Sequence, residues 1–535
     1  MHNKFLALVR NIKVKCTFDE PSLFDIQAVA SAKKVINKSK LRSLVVDDSG
    51  YIYKKSVDAR DKNCIFLVYT VAFELKSNVS FKTSGVDVLE TTDAELLFKT
   101  KKKLTASPVV VGFGPAGMFC ALALAKAGLK PIVLERGDDV DTRAAAVEKY
   151  WKTGELDSSS NVQFGEGGAG TFSDGKLLTR ISDKLCNYVL SQFTKFGAPD
   201  EIMYLSKPHI GTDNLRKVVK NIRQEIIRLG GVVRFRSCLD SIISNNGVVS
   251  SVRLTDGETI ECSSLFLCIG HSARDTVKSI ISCGVNVEPK PFSVGVRIEH
   301  LQKDINEALY GNYAGAKCLG PAQYTLSRKD GNRAVYSFCM CPGGVVVASA
   351  SDRGQIVTNG MSYYSRDGLN ANSAIAVSVD TSDYGNTIDG AIEFQENIER
   401  KAYSVAGNNG AAPIQLLNDF LNDKSVHEPT RIIPTYTGDT ELRRASDVFP
   451  SFVINSLKNG ILMFERDISG FTVGDAVLTF PETRTSSPVK IPRGNDYRAI
   501  GYRNLYPCGE GAGYAGGITS AAVDGLRAAL AYFEL

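Results

Sequence analysis

Two short apolar runs, at 108–111 and 131–134, flank an almost wholly apolar stretch at 115–127. The pattern reads as strand, helix and strand of one buried parallel unit. An amphipathic helix is predicted at 212–229, with Leu215, Val218, Val219, Ile222, Ile226 and Leu229 along one face until Gly230 and Gly231 stop it. Short strands follow at 232–235, 239–244, 248–255 and 258–262, with turns at Asn246 and Gly247 and at Asp256 and Gly257. A buried strand at 264–270 then runs into a glycine turn. The same grammar returns near the C-terminus as a strand at 505–508, a glycine loop at 509–517 and an apolar helix at 518–531. Before the first unit, strands are predicted at 5–16, 43–53 and 65–75 and a helix at 26–41, which make a small α+β domain. Residues 290–480 are less periodic and are assigned to an insertion.

The residues between these elements carry the chemistry. Gly112 lets the chain turn sharply out of its strand, Gly114 clears space for a pyrophosphate to reach backbone N–H groups, and Gly117 lets the helix pack closely on the strand. Glu135 closes the second strand 23 residues after Gly112 (135 − 112), the spacing of a carboxylate that binds ribose hydroxyls and disfavours a ribose phosphate. The loop at 161–177, NVQFGEGGAGTFSDGKL, holds five glycines in 17 residues and can bring backbone donors against a polyanion or a flat ring. The C-terminal strand, loop and helix are what a bound FAD recruits to cover its isoalloxazine end. Glu510 stands there near the pyrophosphate or ribityl chain, and the N–H groups of Gly517 and Ile518 face the N1/C2=O edge. Gly511, Gly513 and Gly516 spell a second GxGxxG, but the chain reaches Leu535 before a second strand and ribose acid, which speaks against a separate NAD(P)H domain.

Composition narrows the class. A chain of 535 residues, 43% hydrophobic and 23% charged, suits two or three soluble globular domains. Its net charge of +5 is small and partly sits in the run Lys99–Lys103, read as a solvated linker, so no nucleic acid is expected. The cluster at 54–62, KKSVDARDK, reads as a solvated turn, with a binding surface as the alternative. No apolar segment reaches the ~20 residues of a membrane span. The N-terminus lacks a secretory signal, and the 12 cysteines read as reduced thiols, so a cytoplasmic location is expected. No metal-ligand spacing, nucleophile elbow or P-loop occurs.

The blocks NVQFGEGGAGTFSDGKL, KPHIGTDNL, KPFSVGVRIEH, YSFCMCPGG, VTNGMSYYSRDG, ETRTSSP and NLYPCGEGAGYAGGITSAAVDG together resemble a family of largely uncharacterised bacterial FAD-dependent dehydrogenases, the NAD/FAD-utilising dehydrogenases, over residues 43–535. The resemblance implies an α/β protein with a glutathione-reductase-like, Rossmann-type FAD-binding domain, an inserted α+β cap or substrate domain and a small N-terminal α+β domain. The divisions are 1–100, 105–290, 291–480 and 481–535. It further implies that Gly112, Phe113, Gly114, Pro115, Ala116, Gly117, Glu135 and Arg136 hold the adenosine diphosphate half of a non-covalent FAD. Gly168 and Thr171 lie along the flavin, Leu239 meets adenine through its backbone, and Gly270, Glu510, Gly517 and Ile518 complete the pocket.

Catalytic candidates are fewer. Cys339 and Cys341, separated by one residue, face the same side of a strand and read as a strained redox pair, as residues flanking a flavin or as two buried small residues, with Cys341 the candidate thiolate. Arg484 reads as a clamp for a substrate carboxylate or as an ion pair with Glu482 or another acid. His209, His271 and His300 are proton-donor candidates, His271 foremost, against the plain alternative of core or turn histidines. The expected function is an oxidoreductase moving a hydride between a small organic substrate and flavin N5, reoxidised by a nicotinamide, quinone or protein partner, with NAD(P)H as a transient reductant. A flavin monooxygenase and a non-catalytic flavoprotein redox sensor are the alternatives.

Overall fold

A computed structural model describes residues 4–79, 85–91, 98–100 and 104–534. At the N-terminus, Pro21 opens a helix that presents Phe24, Ala28, Ala32 and Ile36, four residues apart, to a four-stranded antiparallel sheet. That sheet runs in the order Tyr51–Asp58, Phe66–Leu75, Lys4–Lys15, Val86–Thr91. Two expectations shift here. The helix is Pro21–Asn37, not 26–41, and the strand predicted from residue 43 begins at Tyr51, because the polar stretch before it turns and leaves only a single bridge from Val45 to Leu75. The basic cluster is a solvated turn only in its second half, at Arg60, Asp61 and Lys62. Lys54–Asp58 lies in the edge strand, where Lys55 pairs with Asp25 at 2.7 Å and exchanges backbone hydrogen bonds with Tyr204 and Ser206. Lys101, Lys102 and Lys103 of the linker run lie outside the described residues.

The central layer is a five-stranded parallel sheet in the order Leu505–Pro507, Leu265–Leu267, Val109–Val111, Ile132–Leu134, Val232–Arg234. The C-terminal strand thus returns to the sheet begun some 400 residues earlier (505 − 109 = 396). Its helix, Ile518–Glu534, packs on Pro115–Lys126 so closely that a Cβ on Gly525 would stand 2.1 Å from the Ala116 carbonyl oxygen. The strands Leu239–Asn245, Val248–Leu254 and Thr259–Glu261 form a separate antiparallel layer.

A seven-stranded sheet is built from Phe292–Leu301, Ser327–Asp330, Arg333–Cys341, Asn370–Val379, Ala412–Leu416, Thr440–Leu442 and Val477–Glu482. Its central strands Phe292–Leu301 and Asn370–Val379 are buried on both faces yet carry Arg297, Glu299, His300, Asn370 and Asn372 inward. Interior charge in doubly buried strands erases the two-residue alternation, which is why this stretch looks aperiodic in sequence.

Candidate functional site

The segments leaving the carboxyl ends of the parallel strands, 112–116, 135–136, 268–273 and 508–510, converge on one cavity of about 340 Å³ whose far wall is the insert. Open α/β sheets place ligands in this crevice.

Three glycines of the first turn divide their tasks. Gly112 has φ +94°, and a Cβ on it would lie 2.3 Å from the Cys268 carbonyl oxygen, while one on Gly117 would lie 1.9 Å from the Gly112 carbonyl oxygen. Both are required by backbone packing. A Cβ on Gly114 meets nothing nearer than the Gly168 Cα at 3.7 Å, so the absent side chain there is space given to the cavity. Gly114 also caps Pro115–Lys126 without a side chain, which leaves first-turn N–H groups with no intrahelical acceptor. A bulky anion fits this cradle.

Glu135 does more than line the cavity. Its carboxylate accepts hydrogen bonds from the N–H groups of Phe113 (2.8 Å), Gly137 (2.9 Å) and Gly165 (3.0 Å), tying the 112–116 turn to the 161–177 loop. The Oε2 atom, with only one of these donors, keeps a lone pair for a further hydroxyl. Arg136 donates to Asp275 and Thr276 at 2.8 and 2.7 Å and lies over the Phe164 ring.

The glycine loop owes its shape to Arg143, which nothing in the sequence singles out. Fully buried, it donates to the carbonyl oxygens of Asn161 (2.8 Å), Val162 (2.9 Å), Glu166 (2.7 Å) and Gly168 (3.0 Å). Gly165, at φ +125°, passes against its side chain, where a Cβ would come within 2.3 Å of Arg143 Cδ.

Of the remaining cofactor candidates, Phe113, Pro115, Ala116, Gly168, Leu239, Gly270, Glu510, Gly517 and Ile518 also line the cavity. Gly117 and Thr171 do not. Gly117 is consumed by packing, and Thr171 is buried with its carbonyl oxygen accepting from Thr212 Oγ1 at 2.6 Å. Glu510 has no side-chain hydrogen bond among the described residues, and burial pushes its carboxyl up to about 7 against the pull of Lys290. Gly517 and Ile518 stand where Ile518–Glu534 begins, so a second helix N-terminus faces the cavity.

The insert side corrects the catalytic candidates. Arg333–Cys341 is interrupted by a bulge between Phe338 and Cys341, and Cys339 sits there at φ +46°. The two cysteines therefore do not share a face: Cys339 lines the cavity, while Cys341 is fully buried and its Sγ donates to the Cys339 carbonyl oxygen at 3.2 Å. Their environments differ accordingly. The neighbouring Cys341, with the positive charge of Arg297 and Lys176, draws the Cys339 thiol below its ordinary value, whereas the Cys341 thiol is pushed well up.

Arg484 is an ion pair, but with Glu399 (3.1 Å) rather than Glu482, and its other donors meet Ser351, Asp352 and Gln355. Arg484 lines the cavity with its guanidinium held in these contacts. Glu482 is instead held by both arms of the buried Arg297, at 2.9 and 2.7 Å. His271 lines the cavity and bonds to Ser272 through Nδ1 at 2.9 Å, but burial and then Arg484 and Arg274 press it down to about 3. Uncharged near neutrality, it lacks the second proton of an imidazolium acid. His209 stacks on Tyr364 and bonds to its carbonyl oxygen at 3.0 Å, and His300 bonds to the Phe471 carbonyl oxygen at 2.8 Å. Both are structural. Among the described residues no His, Cys, Asp or Glu group has a metal-binding arrangement, and no helix is long and apolar enough to cross a membrane.

Residues 291–485 match the family described as FAD-dependent protein, C-terminal domain-like. A Clostridium beijerinckii protein, described as uncharacterized, is 48% identical over 485 residues, which cover 89% of this chain and 91% of the relative. Among solved structures, CtdE in complex with FAD is 12% identical over 80% of this chain and 84% of its own, with a TM-score of 0.32. A flavoprotein/dehydrogenase from Cytophaga hutchinsonii is 12% identical over 80% and 78%, with a TM-score of 0.35.

Proposed function

We propose that this chain, which belongs to the same family of FAD-dependent proteins as the Clostridium beijerinckii relative, is an oxidoreductase that uses FAD as a hydride carrier at N5 toward a small organic substrate. One observation carries the reading: a single cavity joins an uncapped phosphate turn, an unpaired acid and a second helix N-terminus, and is closed at its far end by insert residues.

In this reading the N–H groups of Gly114 and of the first turn of Pro115–Lys126 hold the pyrophosphate of a non-covalent FAD in a glutathione-reductase-like arrangement, with Gly168 along the flavin. Glu135, Arg136 and Leu239 serve the adenosine side, and Gly270, Glu510, Gly517 and Ile518 the ribityl and ring side. The insert supplies the substrate end, where the Cys339 thiol lines the cavity and is drawn below its ordinary value by Cys341 and the positive charge of Arg297 and Lys176. The partner that takes or supplies electrons is a nicotinamide, quinone or protein, and the setting is the cytoplasm.

Anaerobic addition of NADH and then NADPH to the purified yellow protein tests the nicotinamide arm. Bleaching of the flavin band within seconds is expected. A band that stays oxidised with both excludes direct nicotinamide reduction and leaves an organic donor or a sensor role.

Glu510 makes a second test. Its raised carboxyl is neutral below about pH 7 and charged above, so the ribityl and ring side of the dianionic cofactor meets an added negative charge only on the alkaline side. FAD affinity of the apoprotein is expected to fall roughly three- to tenfold between pH 6 and 8. Glu510→Gln should flatten the profile, and parallel profiles for the two proteins would remove Glu510 from the cofactor's surroundings.

A further inference from the structure

We propose that Cys16 and Cys318 form a redox-closed clasp: a thiol pair that converts to a disulfide joining the N-terminal sheet to the insert. The two sulfurs lie 3.1 Å apart across 302 positions of chain, both as free thiols. A bond at about 2.05 Å needs an approach of roughly 1 Å. Neither sulfur lines the FAD cavity.

The approach is imposed by contacts on both arms rather than by the sulfurs. Cys16 follows the strand Lys4–Lys15 and its N–H bonds to the Ile65 carbonyl oxygen at 2.8 Å. Cys318 lies in the loop after the short helical turn Gly311–Tyr313. Around the pair, Lys317 bonds Glu20 at 2.6 Å, the Phe18 and Tyr313 rings stack at 6.4 Å, and Ile65 and Ala316 bury the junction. Both thiols also approach the Thr17 carbonyl oxygen, at 3.6 and 3.7 Å. The sulfurs are therefore presented to each other from two different parts of the fold.

Exposure sets the order of events. Cys16 is 1% exposed, while Cys318 is partly open, so an oxidant meets Cys318 first. With glutathione disulfide as the oxidant, the Cys318 thiolate attacks one of its sulfurs, that S–S bond breaks, and one glutathione thiolate leaves. Cys16 then gives up its proton to water and attacks Cys318 Sγ, which forms the new S–S bond and expels the second glutathione. The pair loses two electrons and two protons, and glutathione disulfide becomes two thiols. Burial, with the neighbouring sulfur, holds the Cys16 thiol up at about 12, in keeping with its role as second rather than first nucleophile. A bond closing so long a loop also removes much freedom from the unfolded chain.

The test uses the full-length FAD-loaded protein in glutathione buffers of stepped oxidised-to-reduced ratio, with free thiols then alkylated and peptides mapped by mass. A Cys16–Cys318 linked peptide, lighter by two hydrogens, is expected to rise with the ratio and vanish with dithiothreitol, while the flavin spectrum stays constant. Cys16→Ser should instead trap glutathione on Cys318, and Cys318→Ser should give neither product. Amide exchange in Lys4–Lys15 should slow at least tenfold on closure. Glutathione that remains on Cys318 in the parent protein, or the lack of the linked peptide at the most oxidising ratio, would overturn the pair. A linked peptide without slower exchange would overturn the clasp.

Discussion

Gly114→Ala is expected to yield a folded protein whose FAD affinity has dropped at least a hundredfold, about 3 kcal/mol. The backbone there, at φ −76° and ψ −174°, is open to any L-residue, and the added methyl would meet nothing of the protein nearer than 3.7 Å. Its cost falls on whatever approaches the uncapped N–H groups of Pro115–Lys126. Gly117→Ala is the opposite case. Its methyl would fall 1.9 Å from the Gly112 carbonyl oxygen, a backbone atom that cannot swing aside, so the strand and helix must separate and the fold itself suffers. FAD titration of the two apoproteins by fluorescence quenching, with thermal melts alongside, separates a ligand-facing glycine from a packing one. Gly114→Ala protein that binds FAD as the parent does would remove this turn from the phosphate site.

That division between glycines marks what local sequence can reveal. Val109–Val111, Pro115–Lys126 and Ile132–Leu134 lie within a residue or two of the spans their apolar pattern predicts, because a buried parallel unit is dictated by neighbours in the chain. The return of Leu505–Pro507 to the same sheet was legible from its glycine loop and following helix. The insert's polar interior was not. Arg297 and Glu482 are 185 positions apart, and nothing local distinguishes a buried pair from two surface charges. Cys339 and Cys341 misled for a related reason: alternation puts both on one face, and only the bulge at Cys339 turns one thiol into the cavity and leaves the other buried. Glu135 was read as a ribose ligand from spacing alone, while two of its three backbone donors, Phe113 and Gly165, come from a fold in which the 161–177 loop crosses the 112–116 turn.

Arg143→Met is expected to cost roughly 3–5 kcal/mol of stability, from four buried carbonyl acceptors at about 1–3 kcal/mol each, partly recovered by entering water. The substitution keeps much of the side-chain volume and its place over the Phe172 ring, where the guanidinium now lies 4.8 Å from the centroid. It removes every donor to Asn161, Val162, Glu166 and Gly168. Because those carbonyls belong to the loop that meets Gly114 across the cavity, loss of stability and loss of FAD affinity should appear together, with amide exchange accelerated first at 161–172. Arg143→Lys is intermediate, since three N–H donors from one nitrogen cannot span four carbonyls that a planar fork reaches together. Denaturant unfolding of the apoprotein supplies the stability readout and FAD titration the other. If Arg143→Met unfolds at the parent's denaturant midpoint and binds FAD equally well, the loop keeps its shape without this residue, and the cavity's organisation must be sought in Glu135 and Glu166 instead.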